Sequence, residues 1–378
     1  MTRDDTTMSA GDGETTGGLG PAEALSWLKL QRCLAWLPER VKPLLADGAS
    51  PEEVLSRLLQ AGVSVRGGAF GDSELRKASE QARYDRARLA AMGGRVVPAM
   101  HEDYPVPLAQ LEDAPPVLLV RGRVESLSPD CVAVVGARAA TASARRQARR
   151  LGRELAASGL TVVSGLARGV DAEAHRGALE VGGVTVAVLA GGIDRVYPPE
   201  HRDLAREISQ RGAVLSEMPL GTPPRREFFP LRNRIISGLC RGVVVVEARS
   251  RSGSLITVGH ALAQGREVFV LPGASDGPFA EGSNRLLREG ARAIRGAADV
   301  LEDLGVALSE GGAGPLLVPS RGELEERILS LLGEAPRSRE MLLAEVEPDP
   351  SRLAALLLAL ELAGQVVEER DGRLYRAW

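Results

Sequence analysis

Lysine is nearly absent: Lys29, Lys42 and Lys77 are three among 47 basic side chains in 378 residues, and all the others are arginines. Beyond residue 77 no lysine exists to act as a catalytic amine or a phosphate ligand. Cysteine is as scarce. Cys33, Cys131 and Cys240 lie far apart and in no metal-ligand spacing, which fits a reducing compartment and small buried hydrophobes. No apolar run approaches the ~20 residues of a membrane span. Residues 1–21 hold no apolar segment of a secretory signal, and their polar, Gly/Thr-rich composition reads as a disordered tail. No G-x-x-x-x-G-K-[ST] string occurs, which argues against an ATP-hydrolysing phosphate loop, and no G-x-G-x-x-G follows the first predicted strand. Neither a metal nor a cofactor is expected. The net charge of −3 gives no general attraction for nucleic acid, so any basic surface must be local.

What is present falls into three parts. Residues 22–79 carry apolar positions at helical spacing, such as Leu25 and Leu28, then Val54, Leu55, Leu58 and Leu59. Ser50-Pro51-Glu52-Glu53 reads as a helix start, with Ser50 as N-cap and Glu53 three positions on. This predicts a small helical domain. From Val117, short apolar runs alternate with helical stretches: 132–135, 161–164, 184–189, 213–216, 243–246 and 268–271. Near-continuous apolar strands joined by helices predict a doubly wound, mainly parallel sheet from roughly Pro105 to Leu304, within a domain spanning 80–304. A flexible linker is expected over 305–319, from the composition of Ser309–Pro315. Residues 320–378 then show helices, one with Leu353, Leu356, Leu357 and Leu360 on one face, and a hairpin at Asp371-Gly372; this is the pattern of a winged helix. The predicted fold is α/β, an extended Rossmann-like sheet between a helical N-terminal domain and a C-terminal winged helix.

In an open α/β sheet, ligands bind beyond the carboxyl ends of the strands. Glycine-rich stretches follow strand after strand there: Gly136 to Thr141, Ser164 to Asp171, Ala190-Gly191-Gly192, Ser252-Gly253-Ser254 and Leu271-Pro272-Gly273. One such stretch is a tight turn; five along one edge favour a phosphate-bearing ligand. Arginines gather in the same places. Residues 136–170 contain seven against the single acid Glu154, and residues 221–241 contain five against Glu227. Arg145 to Arg153 read as a solvated helix face. Arg138, Arg168, Arg232 and Arg234 do not, because they stand among glycines or in the run Phe228-Phe229-Pro230-Leu231-Arg232-Asn233-Arg234. Guanidinium groups bind phosphates bidentately, and Phe228 and Phe229 either pack in the core or supply one ring that stacks on an unpaired base.

The ordered strings VVGARAAT, VSGLARGVDAEAHRGAL, VAVLAGGIDRVYPPEH, LSEMPLGTPPRREFFPLRNRIISGL, VVVEARSRSGSLITVGHALAQGREVFVLPG and EGSNRLLREGA closely resemble the DprA/Smf family (DNA-processing protein A), from about Tyr104 to Asp299. The resemblance implies an extended Rossmann fold, a cytoplasmic location and a homodimer joined through that domain. It also implies binding and protection of single-stranded DNA, loading of the RecA recombinase in natural transformation, and a single-strand-binding protein as a further partner. The site it implies comprises Gly136, Arg138 and Thr141; Ser164, Gly165, Ala167 and Gly169; and Phe229, Pro230, Arg232, Asn233 and Arg234, with Ser252, Gly253, Ser254 and Thr257 along the same edge; the residue pattern adds Arg168, Gly191 and Phe228 to the candidate site. The chain departs from the family at Ala137, where many members carry Ser or Thr, which removes one hydroxyl donor. The N-terminal part is similar to the family's sterile-alpha-motif or helix-hairpin-helix-like domain, without a clear Gly-x-Gly hairpin.

Asp171 and His175, one helical turn apart, could form an acid–base or metal pair; a helix-start carboxylate beside a packed histidine is the plainer reading, since no third ligand stands at a recognisable spacing. Glu217 and Glu247 end strands and are expected to order loops. The alternative enzyme class is a Rossmann-like nucleotide phosphoribohydrolase, but Leu271-Pro272-Gly273-Ala274-Ser275 lacks its second Gly, its Thr and its catalytic Glu. The segment from Ser320 to Trp378 holds twelve acids against eight arginines, a net of −4, which makes a DNA-reading face unexpected there.

Overall fold

A computed structural model describes residues 19–34, 37–65, 68–69, 71–127, 130–274, 277, 279–306, 323–345, 350–369 and 373–377. The chain divides into two compact units, 1–313 and 314–378. The first opens with α1 (Pro21–Leu34), α2 (Pro38–Ala46), α3 (Pro51–Gln60), a short hairpin of β1 (Ser64–Val65) and β2 (Gly68–Ala69), and α4 (Asp72–Ala91). The expected start of α3 is there. The Ser50 hydroxyl accepts from Glu53 N, while Ser50 N donates to the Glu53 carboxylate. Two of the helix's otherwise unpaired amides are thus satisfied. The boundary expected between residues 79 and 80 instead falls inside α4, which runs 20 residues without a Gly or Pro to stop it. Nor is this bundle a core apart. Leu28, Leu30 and Leu34 of α1 and Ala82 and Leu89 of α4 share one cluster with Val96, Leu119, Ala187 and Val214 of the sheet.

Then come β3 (Gly94–Pro98), α5 (Val106–Ala109), β4 (Val117–Gly122), β5 (Cys131–Val135), α6 (Ala142–Ala157), β6 (Thr161–Ser164), α7 (Val170–Glu180), β7 (Thr185–Val188), α8 (Arg202–Arg211), β8 (Ala213–Ser216), α9 (Phe228–Gly238), β9 (Gly242–Val245), α10 (Ser254–Ala263), β10 (Glu267–Val270), α11 (Glu281–Arg288), β11 (Arg292–Ala293) and α12 (Ala297–Asp303). Each of the six expected apolar runs is a strand to within a residue. They lie in one nine-stranded sheet of order β11-β10-β9-β5-β6-β7-β8-β4-β3. From β11 to β8 the pairing is parallel; β4 pairs antiparallel with both β8 and β3. The sheet therefore begins before the expected Pro105, with an antiparallel edge whose last residue is Pro98, a position an edge strand tolerates. Side chains alternate across it. Val132 and Val134 face α6 and α7, while Ala133 and Val135 face α9 and α10.

The second unit contains α13 (Glu323–Glu334), β12 (Arg337–Ser338), α14 (Arg339–Glu345), α15 (Pro350–Leu362), β13 (Val366–Glu368) and β14 (Arg373–Arg376). Its sheet order is β12-β14-β13, antiparallel throughout, and its core gathers Ile328, Leu332, Leu342, Leu353, Leu357, Leu360 and Leu374. Three helices followed by a hairpin are the expected winged helix. Gly364, with φ 69°, stops the chain from continuing α15. The predicted tail (but for its last three residues), the Ser309–Pro315 linker and the Asp371-Gly372 turn lie outside the described residues. No described helix is long and apolar enough to cross a membrane.

Candidate nucleic-acid interface

Strand order reverses at β5: the chain proceeds through β6, β7 and β8 on one side, and β9 returns to pair on the other. Loops leaving a sheet at such a point diverge and open a crevice. Here it is a cleft of about 930 Å³. One wall is Gly136 to Ala139 with Ala167, another is Arg249 to Thr257, and the third is Pro224, Arg226 and the start of α9 with Tyr197. Five arginines line it, Arg138, Arg226, Arg232, Arg249 and Arg251, against one described acid, Asp171. That acid is already committed. Asp171 Oδ2 accepts from Gly165 N at 3.1 Å and Ala167 N at 3.4 Å, and burial, the largest influence on it, raises its pKa.

Phe229 is the half-buried centre of the site. The Arg138 guanidinium carbon stands 4.7 Å from its ring centroid, that of Arg232 5.9 Å, and Tyr197 meets it edge-on at 6.0 Å. Arg232 forms the floor. It donates to Gly165 O at 2.8 Å, to Val188 O, and through Nε to Asn233 Oδ1 at 3.1 Å. Burial pulls its pKa down to about 10, with Asp171 opposing that fall, so it remains a cation at neutral pH. Gly165 is glycine because the Arg232 guanidinium occupies the space of a Cβ. Between these loops Leu166 is held left-handed, with φ 56°, and its carbonyl accepts from His201 Nδ1 at 2.9 Å. Such strain persists only where the surroundings impose it, and it gathers at binding loops.

Of the residues expected at the site, Gly136, Arg138, Ala167, Phe229, Arg232, Asn233, Ser252, Gly253, Ser254 and Thr257 line the cleft together. Ser252 and Ser254 join hydroxyls at 2.7 Å. The others do not line it. Thr141 caps α6: it accepts from Ala144 N and donates to Glu247 Oε2 at 2.7 Å. Ser164 donates to Val134 O, and Gly169, with φ 78°, packs on the backbone of Ala137. Gly191 is buried against Thr222 O. Arg168 points to solvent and pairs with Glu200 at 2.5 Å. Phe228 packs with Ala190 and Met218. Arg234 is the clearest correction: it is buried and paired with Glu217 Oε2 at 2.5 Å and Asp113 at 3.4 Å. Residues two positions apart on a helix lie about 200° apart around its axis, so Arg232 and Arg234 face opposite ways.

The sequence reading missed Tyr197, Arg226, Arg249 and Arg251 as lining residues. The last two follow β9, at the same edge as the other loops, just past the basic window that ended at Arg241. The plainer reading of the acids fits. Glu247 accepts from Thr141 N, and His175 is buried with Nδ1 2.7 Å from Thr185 Oγ1. Among the described residues no cluster of His, Cys, Asp and Glu could hold a metal.

The profile of DNA recombination-mediator protein A matches residues 95–305. Protein Smf of Escherichia coli K12 is 39% identical over 291 residues, covering 75% of this chain and 78% of the relative. The chain belongs to the DNA recombination-mediator protein A (DprA/Smf) family. The DprA winged-helix profile matches residues 315–372, in agreement with the second unit. Among solved DprA structures, that from Streptococcus pneumoniae superposes with a TM-score of 0.63 at 32% identity, covering 74% of this chain and 97% of its own. The Helicobacter pylori DprA structure, described for its unique single-stranded DNA binding mode, reaches 0.50 at 30% identity over 55% of this chain and 98% of its own.

Proposed function

We propose that the cleft binds single-stranded DNA, with phosphates on Arg138, Arg226, Arg249 and Arg251 and a base on Phe229. In this reading the protein is a cytoplasmic homodimer that protects an incoming strand and loads RecA onto it in natural transformation. One observation carries the binding step: a chain of net charge −3 concentrates five arginines around a half-buried phenylalanine, beside one described acid whose carboxylate is held by backbone amides. Among the described lining residues no carboxylate is left unbonded, which supports binding over a hydrolysis that uses a carboxylate as general base or nucleophile. The relatives named for DNA processing, and the Helicobacter structure named for single-stranded DNA binding, support the choice of ligand.

Affinity for equal-length single- and double-stranded oligonucleotides over a salt series tests this. Four exposed arginines on a single strand give a log–log salt slope of about −3, and the single strand should bind more tightly because a stacked base needs an unpaired one. Equal affinity for duplex would refute the reading.

A further inference from the structure

The segment from Thr222 to Pro230 is a wall with two sides. Pro224, Arg226 and Phe229 face the cleft; Pro223, Arg225 and Phe228 face a second groove, of about 710 Å³. The far bank of that groove belongs to the N-terminal bundle: Arg32 of α1 and Gln81 and Arg88 of α4. The internal bonds of these residues fix the bank. Arg32 is spent on Asp85, at 2.5 and 2.7 Å, and on Leu220 O at 2.8 Å. Arg88 gives one donor to Asp194 Oδ2 at 2.8 Å and keeps 41% of its side chain exposed. Arg225 is 63% exposed, with the groove's one described lining acid, Glu227, at 3.9 Å.

The same helix carries an aromatic that the fold does not use. Tyr84 is 66% exposed, in a chain with only five Phe, four Tyr and three Trp. At about 100° per residue, Tyr84 sits roughly 40° from Arg88 and 60° from Gln81 around α4. Asp85, on the inner side of that stripe, is fully buried. The stripe thus rises from the buried Asp85 through the groove-lining Gln81 and Arg88 to an exposed ring at the rim. Arginines beside an exposed ring make a stacking platform with phosphate contacts at hand.

We infer that this groove is a second single-strand subsite, which takes the nucleotides that leave the cleft over the 222–230 wall. Tyr84 stacks on a base there, and Arg88 and Arg225 meet the backbone. The inference rests on the proposed reading of the cleft and extends it: the N-terminal bundle becomes part of the DNA path, and the occupied length exceeds what the cleft alone can hold.

The test uses the full chain and oligothymidine of about 6 and about 20 nucleotides, lengths that bracket one such site. Phe229→Ala should weaken both oligomers. Tyr84→Ala and Arg225→Ala should weaken the longer one about tenfold and leave the shorter one unaltered. Both are exposed positions, so folding is preserved, and an unchanged melting temperature checks it. Unchanged affinity of Tyr84→Ala for the longer oligomer would overturn the groove while leaving the cleft reading intact, as would equal loss on both lengths. Insensitivity of the shorter oligomer to Phe229→Ala would overturn the cleft reading itself.

Discussion

Arg138, Arg232 and Arg234 are chemically alike and differ in what surrounds them. Arg138 is exposed over Phe229 and free to meet a phosphate. Arg232 is walled in by two carbonyls. Arg234 is one half of a buried pair with Glu217, whose pKa burial raises while Arg234 holds it back. Removing one partner of a buried pair costs about 3–5 kcal/mol, because the other charge is left stranded. Arg234→Ala should therefore lower stability by that order and leave the affinity of the folded protein for single-stranded DNA nearly intact. Arg138→Ala should do the reverse, with little effect on stability, a loss of about 1–3 kcal/mol in binding and a salt slope shallower by about 0.7 unit. Urea unfolding and anisotropy on the same two variants separate these outcomes, and a binding loss in folded Arg234→Ala matching that of Arg138→Ala would refute the assignment. The sequence places all three arginines near the ligand. It carries no helix phase for the run after Phe228, and the phase decides which arginine turns inward.

At the scale of elements, what is legible is what repeats. Strands buried on both faces read as unbroken apolar runs, and all six were located that way. The first antiparallel strands were not, because β3 begins Gly94-Arg95, and only the four-residue α5 stands between it and β4, too short for the helix of a βαβ rhythm. The close seam of α6 and α7 is also silent in the sequence. Gly152 and Gly177 touch the opposing backbones of Ala174 and Arg149, yet each looks like an ordinary helix glycine. The joint between α7 and β7 makes a testable case. The Thr185 hydroxyl donates to Val162 O at 2.7 Å, so its oxygen accepts from His175 Nδ1, and the bare Nε2 is buried without a partner. A proton there would find no acceptor. Burial, reinforced by the nearby His201 and Arg232, lowers the His175 pKa from 6.5 to about 3. The unfolded chain takes up that proton below pH 6.5 and the native state does not, so stability is complete above pH 6.5 and falls as the pH drops toward 3. Between pH 6.5 and about 5 the loss from this one group is roughly 1.5 kcal/mol. His175→Gln should remove it, and an unchanged slope of urea stability against pH over that interval would exclude His175 as its source.

The whole molecule separates charge that its net value of −3 conceals. The cleft and its arginines belong entirely to the first unit, whose cores are self-contained. The second unit is acidic by sequence. Its helix α15 exposes Leu358 and Leu362, at 56% and 81%, where a duplex-reading winged helix would present cations to phosphates. A chain ending at Ala313 should therefore keep its affinity for single-stranded DNA within a factor of about two, and bind equally or slightly more tightly at low salt, since a like-charged body is gone. The salt slope should not change, because no phosphate contact is lost. Anisotropy of residues 1–313 beside the full chain, from low to moderate salt, measures both quantities. A tenfold weaker complex with a shallower slope would mean that the second unit supplies phosphate contacts of its own, and that its acidic composition misrepresents the face it turns to DNA.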